Sequence, residues 1–192
     1  MSVTLRAMSA LLHYPDEMLR DAIPEIRAAI RAEGLLSETQ LRALEPLLLQ
    51  ISGGDLIAHQ EHYVELFDRG RQHCLHLFEH VHGESRDRGQ AMVDLAQLYE
   101  RGGLTLAANE LPDYLPLFLE YLSTRPLEEA RTVLADTLHI VTALEERLAA
   151  RRSGYAAVFA AIRSAAGHRA VVPAGEGEAE PAEDDLAALD AA

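Results

Sequence analysis

Between His73 and Gly89 the stretch HCLHLFEHVHGESRDRG gathers four of the nine histidines, the only cysteine and three carboxyl groups. Imidazole, thiol and carboxylate at this density are the raw material of a metal centre. The sharpest match is HLFEH, residues 76–80, which fits the H-x-x-E-H pattern of inverted zinc peptidases. On a helix, His76 and His80 stand four apart on one face and would grip one zinc, with Glu79 as general base toward its bound water. Such a hydrolase needs a third protein ligand, and Glu145 or Glu146 would have to be drafted with nothing to mark either out. The same residues also read as an extended segment, Leu75 and Leu77 alternating with His76. His76, His80 and His82 then point one way and Glu79 the other, which dismantles the peptidase arrangement. Three fixed letters in a histidine-rich stretch are weakly specific, so zinc hydrolysis is the alternative reading. The leading one is a loop packed on the core whose histidines and Glu79 satisfy backbone groups, with Cys74 a small buried residue.

Two neighbouring stretches raise further chemistry. In ESRDRG, Arg86 and Arg88 fall in the first turn of a helix, where positive charge opposes the macrodipole at roughly 0.3–1 kcal/mol each. They call for a compensating acid, either Glu84, Asp87 or a group on a neighbouring element, or else for a ligand. In ELPDYLP, Asp113 reads as a helix N-cap, yet Pro116 removes one N–H that the cap would bind. Asp113 is therefore expected to keep spare acceptor capacity beside Tyr114, open to a basic side chain from a partner.

The elements that position these residues read as all-α. Apolar residues recur at helical spacing from Thr4 to Gly167, without a convincing pair of alternating strands. Asp16 caps a second stretch that Pro24 should break or kink and Gly34 should end. Ser37 with Gln40 forms a capping box for a third helix closed by Gly53 and Gly54, and Asp55 caps a fourth with Leu56, Tyr63, Leu66 and Phe67 facing inward. Ser85 is placed to cap the next helix, with Met92, Leu95 and Tyr99 on one face. Residues 115–122 are apolar nearly all round and mark a central helix. A long helix is expected from Pro126 to Ala150 and a short one at YAAVFAAIRSAA. Residues 1–167 thus form one helical domain, and residues 168–192, rich in Ala, Glu, Gly and Pro, an acidic tail expected to be disordered.

With 192 residues and 48% hydrophobic composition, one core is the expectation. A single cysteine makes no intramolecular disulfide and no thiolate zinc cluster, so an oxidising compartment is not required. MSVTLRAMSALLHYPDE lacks the apolar run of a signal sequence, and no segment approaches a membrane span; a soluble, cytoplasmic protein is expected. The net charge of −14 argues against nucleic acid and for a basic peptide or protein partner. Half of that excess lies in the seven acids between Val171 and Ala192, leaving the body at only half the nominal charge.

Taken together, YVELFDRGRQHCLHLFEHVHGESRDRGQAMVDL (63–95), the glycine pair after Tyr99 and ELPDYLPLFLEYL (110–122) closely resemble the NarJ-type assembly chaperones of nitrate reductase. LLHYPDE and the spacing through the later helices agree, so the resemblance covers roughly residues 5–165. It implies an all-α, single-domain bundle of the TorD, DmsD and NarJ group and a non-enzymatic role. Such chaperones bind the N-terminal segment of the nitrate reductase catalytic subunit in the cytoplasm while its iron-sulfur and molybdenum cofactors are loaded, before it docks at the membrane. The resemblance implies no cofactor of the chaperone's own, no nucleic acid, no membrane insertion and a monomer or weak dimer. Carried over by matching motif, the client-binding residues are Tyr63, Phe67, Asp68 and Arg71, then Glu79, His80, His82, Gly83, Arg86, Asp87 and Arg88, and finally Glu110, Pro112, Asp113 and Tyr114. Charge recognition by Asp68, Glu79 and Asp113 is the expected mode.

Overall fold

Asp16, Ser37 and Asp55 act as the start signals their positions in the sequence make them. A computed structural model describes residues 1–81, 87–106 and 110–167. Ser2 caps α1 (Val3–Leu11) through the Leu5 N–H, and Asp16 caps α2 (Glu17–Glu33) by accepting from the Leu19 N–H at 2.7 Å. Ser37 and Gln40 close the reciprocal box at the head of α3 (Glu38–Gly53), and Asp55 caps α4 (Leu56–Tyr63) through Ile57. Gly34 ends α2 in the left-handed region, φ 71°, which a side chain would resist. α4 runs on into one π-helical turn, Val64–Asp68, and a 3-10 turn, Arg71–His73, follows. The remaining helices are α5 (Leu77–Val81), α6 (Asp87–Arg101), α7 (Leu115–Ser123), α8 (Leu127–Ala135), α9 (Leu138–Ala150) and α10 (Ala156–Ala165).

The fold is all-α, as expected; among the described residues the extended pairing is confined to an isolated antiparallel bridge between His76 and Tyr114. α1 is the hub, packed on α2, α7 and α10, while α10 also lies against α9 and α3. The central helix is where residues 115–122 put it: Leu115, Phe118, Leu119, Tyr121 and Leu122 are all buried. Burying such side chains contributes about 1.5–3 kcal/mol each before chain entropy is charged against it. No helix among the described residues is long and apolar enough to cross a membrane.

Two local expectations fail. The break at Pro24 does not occur: α2 runs on through that residue, which lies on the exposed side, where a backbone carbonyl left without its donor can face solvent. The long helix from Pro126 to Ala150 is two helices. Thr137 turns both its amide (3.0 Å) and its hydroxyl (2.9 Å) onto the Leu134 carbonyl, which takes the acceptor that Leu138 would need to continue the helix. The Ser85 cap and the tail, residues 168–192, lie outside the described residues.

Candidate functional site

The site is a joint between the segment ahead of α5 and the segment ahead of α7. Leu77 N–H donates to the Asp113 carbonyl at 2.9 Å and Leu115 N–H to the Leu75 carbonyl at 2.8 Å, so Cys74–His76 runs antiparallel to the residues opening α7. The HLFEH stretch is therefore neither the full helix nor the full strand that its spacing allows. His76 is a bridge residue, and one helical turn begins after it.

Asp113 sits wholly buried in this joint. Its Oδ2 accepts from the Phe78 N–H at 3.1 Å, and its Oδ1 lies 3.1 Å from His76 Nδ1. A carboxylate has no proton to give, so Nδ1 is the donor in that bond. Arg88, on the first turn of α6, reaches Glu79 at 2.7 Å and stands 3.9 Å from Asp113 Oδ2. Two expectations are corrected here. Asp113 is not the N-cap of α7, a position held by Tyr114 without a side-chain bond, and its carboxylate is buried and already accepts two donors instead of standing open beside Tyr114. Its donors come from residues 37 and 35 positions upstream, which the spacing around Pro116 does not reveal. Glu79 is likewise engaged, paired with Arg88, so the compensating acid for that arginine is on a neighbouring element.

The peptidase geometry is not assembled. His76 turns to Asp113, whereas His80 Nε2 lies 2.8 Å from the Cys74 carbonyl. Among the described residues no group of three His, Cys, Asp or Glu side chains is placed to hold a metal. Cys74 is half-buried rather than buried, and burial pushes its thiol up, with Glu79 and Asp113 adding to the rise.

On the other side of the bridge lies an aromatic cluster. Tyr63 donates its hydroxyl to the Leu12 carbonyl at 2.7 Å, and the Tyr114 hydroxyl is 3.5 Å away. Burial, with Tyr114, Tyr155 and Asp68 adding to it, raises the Tyr63 phenol far above its ordinary range. Phe67 packs on Tyr63 and edge-on to Tyr155, at centroid distances of 4.9 and 5.0 Å. Tyr99 holds the loop before α7 by donating to the Pro112 carbonyl at 2.7 Å. Tyr63, Phe67, Asp68 and Tyr114 line one cleft of about 430 Å³, together with Tyr14, Cys74, Leu75 and His76.

Of the remaining expected residues, Arg71 and Asp87 are exposed on the 3-10 turn and at the start of α6, and Glu110 is exposed before Pro112. His82, Gly83 and Arg86 lie outside the described residues. Spacing singled out neither Tyr14 nor the structural part played by His76. The signal for Tyr14 was a large aromatic at the end of the first apolar stripe, in HYPD.

The helical bundle has a counterpart among solved structures. A solved structure from Archaeoglobus fulgidus, described as a candidate redox enzyme maturation protein, superposes with a TM-score of 0.61 over 85% of this chain and 91% of that one, at 24% identity. The model of the nitrate reductase delta subunit family matches residues 15–161, and the chain belongs to that family. It is 48% identical over 157 residues to the nitrate reductase molybdenum cofactor assembly chaperone NarJ of Escherichia coli K12, covering 82% of this chain and 66% of that protein. It is 42% identical to the probable chaperone NarW of the same organism (85% and 68%) and 36% identical to the probable chaperone NarJ of Bacillus subtilis (85% and 88%). The chain thus spans about two thirds of the length of the E. coli relatives.

Proposed function

We propose that this chain is a cytoplasmic, client-specific chaperone that binds the N-terminal region of a nitrate reductase catalytic subunit. It keeps that subunit open for iron-sulfur and molybdenum cofactor insertion before membrane docking, and carries no cofactor and no catalysis of its own. The observation that carries this reading is the 36–48% identity, across most of the helical body, to proteins named as molybdenum cofactor assembly chaperones. The side chains agree with a binding role, since the histidines and acids that suggest hydrolysis are spent on structure and what they leave open is an aromatic cleft.

A calorimetric titration tests it. The protein, in chelator, is titrated with a synthetic peptide from the N-terminus of a nitrate reductase catalytic subunit. Saturable one-to-one binding is expected. Absence of binding to a demonstrably folded protein, in this titration and with the longer client segment, overturns the assignment of that segment as client.

A further inference from the structure

Two of the three acids named above for charge recognition of the client are engaged inside the protein: Asp113 accepts from His76 and the Phe78 N–H with Arg88 nearby, and Glu79 pairs with Arg88. Asp68 is different. It ends the π-helical turn, is exposed, lines the 430 Å³ cleft, and makes no hydrogen bond or ion pair among the described residues. Its charge is felt inside the cleft, where it helps lift the phenols of Tyr63 and Tyr114, behind the larger effect of burial.

The cleft walls are aromatic. Tyr14 meets Tyr63 edge-on at 5.7 Å, and Tyr114 tilts against His76 at 5.4 Å. Tyr14 is 49% exposed at the rim, also lines the two neighbouring concavities, and so offers a ring surface to an incoming group. Electron-rich ring faces beside one carboxylate suit a delocalised cation, since a planar guanidinium stacks on tyrosine while its N–H fork meets the acid. An aliphatic residue would leave Asp68 without a partner. An acidic one would be repelled. Arg69, next to Asp68 in sequence, faces the adjoining concavity with Glu61 and Glu65, and Arg71, three residues on, is engaged in an interaction of its own.

We propose that this cleft is a subsite for one arginine side chain of the bound client, stacked on Tyr14 and Tyr114 and paired with Asp68. The proposal rests on the client-binding reading, and two arms of the test keep them apart. The first arm uses no client. N-acetyl-arginine methylamide is titrated into the full chain and followed by NMR at the tyrosine rings, with the uncharged citrulline analogue as control. Weak saturable binding of the arginine probe alone, abolished in Asp68→Asn, is expected; equal shifts from both probes, or none from either, overturn the subsite. The second arm uses the client peptide with each basic residue replaced in turn by glutamine. One replacement should lower affinity about tenfold. Asp68→Asn and Tyr14→Leu should each lower it similarly, and Asp68→Asn should cost nothing further against the replaced peptide. Additive losses, or an unchanged affinity in Asp68→Asn, overturn the pairing even where the peptide binds. Tyr14 is half exposed, so its variant tests the site without opening the core.

Discussion

Replacing Asp113 gives the sharpest test of the joint. The carboxylate is fully buried and holds two donors at 3.1 Å, the Phe78 amide and His76 Nδ1, with Arg88 at 3.9 Å. Alanine removes every acceptor at once and leaves the Phe78 amide and His76 Nδ1 without their buried partner, a change that typically costs about 3–5 kcal/mol. Asparagine keeps one carbonyl oxygen, which serves Phe78 or His76 but not both, and turns its NH₂ toward the donor left over; about 1.5–3 kcal/mol is expected. Glu79→Gln touches a pair that is about a quarter exposed on each side, and should cost no more than about 1 kcal/mol. Against a total stability of about 5–15 kcal/mol, the alanine variant stands close to unfolding. Urea unfolding at pH 7, with the slope checked for constancy, measures all three. A loss below about 1 kcal/mol in Asp113→Ala, or one no larger than that of Glu79→Gln, would refute the view that Asp113 is a structural keystone rather than a client contact.

Three further outcomes follow from the geometry. A Cβ on Gly102 would lie 2.5 Å from the Tyr121 ring, itself buried and tilted against Tyr99 at 4.9 Å, so Gly102→Ala should lose about 1–3 kcal/mol, visible as a lower melting temperature. Tyr63→Phe removes the hydrogen bond to the Leu12 carbonyl and should cost about 1 kcal/mol in the same urea assay, leaving the helical circular dichroism unchanged. Glu33 bridges α2 to the start of α1 by accepting from the Val3 and Thr4 amides. Burial raises its carboxyl, but the bonds from Thr4, Val3 and Ser2 outweigh that and hold it below the ordinary 4.5. Its contribution is then present above pH 4.5 and is lost as pH falls through the lowered value. Glu33→Gln should be less stable than the parent at pH 7 by about 1 kcal/mol, as for a lost cap, with the gap closing in acid; a gap independent of pH would remove Glu33 as the titrating group.

What could be read in advance divides by the range of the interaction. The caps at Asp16, Ser37 and Asp55 and the stop at Gly34 are set within one helical turn, so their spacing alone places four helix ends. The split at Thr137 is local too, but nothing in VLADTLHI shows that the hydroxyl turns back on Leu134 instead of facing water. Pro24 misleads for the converse reason: whether it breaks a helix depends on which side faces solvent, and that is settled by the packing of α2 on α1 and α3. Asp113 was legible as unusual and misread as open to a partner. Its environment is assembled by a backbone bridge across 38 residues, from His76 to Tyr114, and periodicity carries no trace of such a pairing.

The burial of Asp113 in the joint changes how the acidity of the chain bears on recognition. A net charge of −14 suggests a broad field drawing in a basic partner, yet half of the excess lies in the tail sequence, and Asp113 and Glu79 are engaged by partners within the joint. At physiological ionic strength the Debye length is about 8 Å, so scattered surface acids act weakly on a client at contact. A carboxylate at the mouth of an aromatic cleft is screened less, since the rings displace water on its inner side. Steering by the tail and capture by Asp68 therefore predict different salt responses. Capture by one pair gives a shallow fall of affinity with salt that vanishes in Asp68→Asn, whereas steering gives a steep fall in association rate that survives that substitution and disappears when residues 171–192 are removed.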